Sequence, residues 1–231
     1  MNPEFCANLE MNESLLKSLS RLYGEVFGAP PWNEVWRCST CDRFYGPEYQ
    51  QDNVSPCCST PLTMAYPEKE TINYIIEELS SPRAQIRLLY LENNKLVAFA
   101  WSYQIANAKS LAEKKWPQST ETQNKVIEAI KDYTDPNLPL YYISEIGVAY
   151  PFRGNQIGFR LTSDLVNFGL DLGEIVIFRT NYSSPMMRIA EKLMMRQIMG
   201  PKVDKDLITT REITGFLDQV NPNRTLFIKT K

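Results

Sequence analysis

Four of the five cysteines fall in one short stretch, as Cys38-Ser39-Thr40-Cys41 followed by the adjacent pair Cys57-Cys58. A C-x2-C pair answered about fifteen residues later by a second pair is the spacing of a structural zinc knuckle. Four thiolates satisfy the tetrahedral preference of Zn2+. The intervening segment, Asp42 to Pro56, offers mainly Phe44, Tyr45, Tyr49 and Val54 to a core, so metal binding would supply folding free energy it otherwise lacks. Adjacent cysteines are awkward co-ligands because neighbouring side chains diverge, which makes Cys57 or Cys58 the least secure of the four. Without a metal, the same residues read as reduced thiols packed as small apolar groups.

A second constellation is Arg153-Gly154-Asn155-Gln156-Ile157-Gly158, which follows the apolar run Tyr141 to Val148. That run predicts a buried strand, and the residues from Gly158 onward predict a helix with Leu161, Leu165 and Phe168 on one side. A helix N-terminus carries unpaired N–H groups and partial positive charge, and so stabilises an anion. Gly154 and Gly158 admit close approach of a ligand to the backbone, and Arg153 adds a guanidinium suited to phosphate oxygens. An ordinary strand-to-helix turn uses the same residue types, so both readings stand on the loop alone.

The chain contains no histidine. Ser-His and Cys-His nucleophile pairs are therefore excluded, and proton transfers fall to carboxylates, tyrosines, water or the backbone.

Around these residues the pattern predicts an ordered series of elements. Asn12 is placed to cap a helix burying Leu15, Leu16, Leu19, Leu22, Tyr23, Val26 and Phe27. Gly28 and Pro30-Pro31 stop it. Residues 4 to 10 suit a short strand. Glu70 to Ser80 predicts a second helix, and Gln85 to Glu92 with Lys95 to Tyr103 predict a hairpin turning at Asn93-Asn94. Lys109 to Trp116 and Thr120 to Tyr133 predict two helices within a long connection, an arrangement common in lids and interfaces. Glu174 to Thr180 reads as a strand. Ser184-Pro185 opens a helix whose stripe would be Met186, Ile189, Ala190, Leu193 and Met194. Arg224 to Thr230 reads as the last strand, and residues 201 to 224 as irregular.

The residues Val148 to Gly158 resemble the acyl-CoA signature of the GNAT superfamily of N-acetyltransferases, R/Q-x-x-G-x-G/A after a strand end. Arg153 and Gly158 match its first and last positions; Gln156 replaces the middle glycine, and Pro151 stands one place later than the usual proline. Asn181 and Glu191-Lys192-Leu193 are similar to that family's later motif, and Tyr23 to Phe27 with Pro30-Pro31-Trp32 to the end of its first helix. The resemblance implies an α/β (α+β) fold: a central mixed, mostly antiparallel sheet flanked by helices, carrying a small zinc-knuckle insertion. Residues 1–231 would form one acyl-CoA N-acyltransferase-like domain. It would carry insertions at 37–62, the zinc knuckle, and at 104–140, a helical excursion near the acceptor site.

The resemblance also implies acetyl-CoA as cosubstrate and transfer of its acetyl group to a primary amine. Backbone groups of Ile146, Gly147 and Val148 would hold the pantetheine arm and thioester, with the strand splayed by a bulge. Amides of Arg153, Gly154, Asn155, Gln156, Ile157 and Gly158 would bind the diphosphate, and Asn181 would contact the CoA arm. Glu145 is then the candidate base by position, with a salt-bridged or solvent-facing carboxylate as the alternative, and Tyr142 is a second candidate. Ala190 stands where the family's thiolate-protonating tyrosine usually lies. That departure, with Gln156, keeps open a degenerate acyl-CoA-binding or regulatory module whose zinc element docks a protein partner. By the same resemblance the zinc insertion, with Trp32 and Trp36, would flank the acceptor entrance.

Composition bounds the rest. The chain has 231 residues, 43% of them apolar, and a net charge of −2 at pH 7 with no stripe of like charge. Neither nucleic acid nor a membrane surface is an expected partner. With clustered cysteines and no apolar run of membrane-spanning length or secretory leader, the expected location is the cytoplasm.

Overall fold

Asn12 does what its type allows. Its side-chain oxygen accepts from the Leu15 amide at 2.9 Å and opens helix α1, Glu13–Phe27. The computed structural model describes residues 12–50, 53–202, 212–213 and 223–231. The strand expected over residues 4 to 10 lies outside them. So does most of the stretch 201 to 224.

The elements that follow are β1 Trp36–Cys38, β2 Phe44–Tyr45, β3 Leu62–Met64, α2 Glu68–Leu79, β4 Gln85–Tyr90, β5 Leu96–Ile105, α3 Ala108–Lys115 and α4 Thr120–Lys131. Then come β6 Leu140–Val148, a 3-10 turn at Tyr150–Phe152, α5 Ile157–Asp171, β7 Ile175–Asn181, α6 Met186–Lys192 and β8 Arg196–Met199. Two-residue strands β9 Pro201–Lys202 and β10 Glu212–Ile213 pair with each other, and β11 Arg224–Lys229 ends the series. The main sheet runs β4-β5-β6-β7-β11-β8. Its β6–β7 pair is parallel, whereas β11 is antiparallel to both β7 and β8.

The chain divides into two units. The first comprises residues 1–80, 86–100 and 146–158. Here α1 buries the seven residues its spacing predicts, Leu15, Leu16, Leu19, Leu22, Tyr23, Val26 and Phe27. Each such apolar side chain contributes about 1.5–3 kcal/mol on burial. Tyr23 is the hub of an aromatic cluster, with ring centroids 4.5 Å from Phe27, 5.1 Å from Tyr66 and 5.8 Å from Phe99. Tyr66 in turn stacks on Phe44 at 5.6 Å, which fastens the cysteine-bearing segment to this cluster. That segment is a small antiparallel sheet, ordered β2-β1-β3.

The second unit comprises residues 81–85, 101–145 and 159–231. Its core gathers Leu111 and Trp116 from α3 and its C-cap, Val126 and Ile130 from α4, and Tyr142, Ile177 and Leu226 from the sheet. The long connection is thus a packed layer of this core. Glu174, just before β7, has its pKa raised by burial, with Gln104 and Arg83 acting in the opposite sense.

One expected stripe breaks. Helix α6 stops at Lys192, and Met194 takes a left-handed φ of 52° with 79% of its surface exposed. Of the stripe only Ala190 is fully buried in α6, while Met195 and Met199 enter the core from the turn and from β8. Turning the chain into a strand there moves every later side chain off the helical face.

Candidate active site and metal centre

The loop after β6 lies wholly in the first unit. Gly147 is there because nothing larger fits: a Cβ at that position would stand 2.3 Å from the Phe99 ring. Ala149 donates to the Val97 carbonyl at 2.9 Å, and the 3-10 turn then redirects the chain. Gly154 has φ +84° with open space where a Cβ would be, and Gln156 has φ +59°. Gln156 therefore adopts the backbone conformation that the replaced glycine would take, at a cost of about 1–2 kcal/mol. Left-handed residues interspersed in a turn gather successive N–H groups into an anion-binding concavity. Helix α5 opens at Ile157, one residue earlier than expected, so Ile157 and Gly158 are first-turn amides.

The guanidinium of Arg153 is engaged by main chain. Its Nε donates to the Val148 carbonyl at 3.0 Å, Nη1 to that of Pro30, and Nη2 to that of Val26 at 3.3 Å. Burial lowers its pKa below the usual arginine value. Sequence reasoning assigned this fork to a phosphate; the hydrogen bonds found here anchor the loop to the end of α1. Arg153→Ala should therefore destabilise the ligand-free protein by about 1–3 kcal/mol, because the carbonyls it satisfies lose a charged donor. Urea unfolding without ligand checks this, and an unchanged midpoint would return the side chain to a purely ligand-facing role.

Tyr142, Glu145 and Asn181 belong to the second unit. The parallel β6–β7 pairing runs from Leu140↔Ile175 to Ile143↔Phe178. Both strands continue, β6 to Val148 and β7 to Asn181, so Ser144 and Glu145 follow the residues of β6 in register with β7. Glu145 is half-buried. Tyr142 is 3% exposed, its ring 5.8 Å from that of Tyr103 and capped by the Lys115 ammonium at 4.7 Å. Asn181 closes an Asx turn, its Oδ1 accepting from the Ser183 amide at 3.0 Å and hydroxyl at 2.9 Å. Ala190 is completely buried and brings no acid.

The four cysteines come together in the first unit. The Sγ atoms of Cys38, Cys41, Cys57 and Cys58 all lie within 4.8 Å of one another. A tetrahedral tetrathiolate zinc site with bonds of about 2.3 Å has edges of about 3.8 Å, so the cluster fits the ion. Cys38 is buried, and hydroxyl hydrogen bonds from Ser55 and Thr60 hold its thiol down to about 5. The Tyr45 hydroxyl donates to Cys57 Sγ at 2.9 Å. Sequence reasoning missed these hydroxyl partners, although Ser55 and Thr60 flank the second cysteine pair closely enough to have been suspected. Trp36 donates to the Tyr49 carbonyl at 2.9 Å within the same segment, and Trp32 packs on Phe27 at 5.7 Å.

No protein-family model matches the chain, and no curated protein matches it by sequence. Among solved structures it is similar to a histone acetyltransferase and related acetyltransferase of Corynebacterium glutamicum, at 12% identity and TM-score 0.53, over 100% of this chain and 97% of that one. It is also similar to arylalkylamine N-acetyltransferase 2 of Aedes aegypti, at 11% identity and TM-score 0.52, over 99% and 97%. A mosquito arylalkylamine N-acetyltransferase-like protein matches at 12% identity and TM-score 0.50, over 94% and 96%. The chain has the fold of the GNAT N-acetyltransferases, a mixed and mostly antiparallel sheet flanked by helices. Among the described residues no helix is long and apolar enough to cross a membrane.

Proposed function

We propose that this protein is an acetyl-CoA-dependent N-acetyltransferase acting on a primary amine, built around a structural zinc knuckle. The observation that carries the reading is the loop ahead of α5, where Gly154 and Gln156 are both left-handed and Gly154 opens onto free space. Three solved structures of the same fold bear the name acetyltransferase, which supports the chemistry.

Acetyl-CoA would supply the activated acyl group as a thioester. The main-chain amides of residues 153–158 would hold its diphosphate, with Arg153 fixing the loop from behind. Backbone groups of Ile146, Gly147 and Val148, and the Asn181 side chain, would line its pantetheine arm. Glu145 would take the proton from the acceptor ammonium. Tyr142, packed in the core, would hold the strand in place. Ala190 brings no acid, so the leaving thiolate would be protonated by water; thiolates are stable enough to leave without a dedicated acid. The zinc would join β1, β2 and the second cysteine pair into one folded segment, in a protein working in a reducing compartment such as the cytoplasm.

Calorimetry with coenzyme A, followed by thiol release from acetyl-CoA against a panel of primary amines, tests the proposal. Saturable binding with amine-dependent release is the expected outcome. Binding without turnover across a broad panel would leave an acyl-CoA-binding module, the reading that the buried Ala190 favours. No binding at all would remove both.

A further inference from the structure

The two cysteine pairs sit on two copies of one backbone turn. In the first, the Cys38 amide donates to the Arg43 carbonyl at 2.9 Å, the Asp42 amide donates back to Cys38 at 3.0 Å, and Asp42 has φ 56°. In the second, the Ser55 amide donates to Thr60 at 2.8 Å, the Ser59 amide donates back to Ser55 at 2.9 Å, and Ser59 has φ 54°. The match is residue for residue: Ser55 stands where Cys38 does, Cys58 where Cys41 does, and Cys57 where Thr40 does. The second turn thus has a hydroxyl at its first ligand position, and Ser55 is 1% exposed, its hydroxyl 3.3 Å from that of Thr60, which lies 3.3 Å from Cys38 Sγ. Cys57 reaches the cluster from the position that Thr40 occupies in the first turn, where no thiol stands. It is exposed, whereas Cys38 is buried and Cys41 and Cys58 are half-buried.

We propose that the ion is carried by three turn-borne thiolates, Cys38, Cys41 and Cys58, and that Cys57 is its displaceable fourth ligand and a modification site for soft electrophiles. This rests on the zinc reading above. An exposed sulfur next in sequence to another ligand would be the most easily displaced of the four, because adjacent side chains diverge. When it lets go, the Tyr45 hydroxyl already in contact with it offers a second partner. With a maleimide the step is an addition: the Cys57 sulfur forms a bond to one alkene carbon and solvent delivers a proton to the other, leaving a thioether in place of the thiolate.

The test uses full-length zinc-loaded protein carrying Cys6→Ser, so that only the four cluster cysteines remain. Limiting N-ethylmaleimide should place the first adduct on Cys57, read by peptide mass mapping, with one zinc per chain still bound by elemental analysis. Cys57→Ser should retain zinc and label roughly tenfold more slowly, because the thiolates left are less accessible. Ser55→Cys combined with Cys57→Ser should also label slowly and hold zinc longer against a chelator, since all four thiols then occupy turn positions. A first adduct on Cys38, Cys41 or Cys58 would overturn the proposal. So would zinc binding by Cys58→Ser but not by Cys57→Ser. A wild-type protein without zinc would instead remove the metal reading itself, and this assignment with it.

Discussion

Chelating the proposed zinc is expected to unfold the described part of the segment 36–64 while α1 and α2 stay folded. The argument is one of missing apolar burial. In that segment Cys38 and Leu62 are buried, at 0% and 1% exposure, but Phe44, Val54 and Met64 are 41%, 59% and 58% exposed. Three strands of two or three residues cannot hold themselves together on the two apolar side chains buried among the segment's described residues. An ion present at a thousandfold over its Kd adds about 4 kcal/mol to the folded state. In a chain of this size that corresponds to a fall in Tm on the order of 10 °C when the ion is removed. Hydrogen exchange should locate the loss, with amides of the segment exchanging freely and those of α1 remaining protected. Cys38→Ser should reproduce it, because Cys38 is the cluster's buried member. If exchange in the segment is the same with and without chelator, the four cysteines are packed thiols and the zinc assignment is gone.

How much of this could be read in advance depended on the range of the interactions. Helix α1 was legible to the residue because its cap, Asn12, and its buried spacing are both local. The knuckle strands were not, since two residues such as Phe44–Tyr45 carry no periodicity. Gln156 reads in the sequence as a departure from the loop motif; its backbone has a left-handed φ that glycine would adopt more cheaply. Arg153 has a structural role that its type does not announce. Its type suggests a phosphate, while two of its carbonyl partners lie 123 and 127 residues earlier in the chain, and no local pattern reports a contact of that separation. The methionine stripe failed at Met194 because helical periodicity was extended past the point where the chain turns into β8. Charge and apolar spacing thus located the elements, and main-chain hydrogen bonds between distant segments decided what several site residues do.

Glu145→Gln is expected to lower kcat by about 10²–10⁴-fold while leaving the Kd for coenzyme A unchanged. An alkylamine with a pKa near 10.4 is neutral in only about one molecule in a thousand or fewer at pH 7, so a group that removes its proton raises the reactive fraction directly. Among the candidates the strand provides, Tyr142 is enclosed by Tyr103 and Lys115, whereas Glu145 is half-buried and follows the residues of β6 in register with β7. Glutamine keeps the size of the side chain and removes only its basicity, and the diphosphate is left to amides some ten residues further along. The pH dependence separates this from simple disruption. Without its base, the variant must wait for solvent to deprotonate the amine, so its rate should climb about tenfold per pH unit up to the amine's own pKa. The wild type should lose that slope once Glu145 is charged, so the gap between the two narrows as pH rises. A loss of equal size at every pH, together with weaker coenzyme A binding, would mean that Glu145 holds the strand rather than the proton; an unchanged kcat would move the base elsewhere.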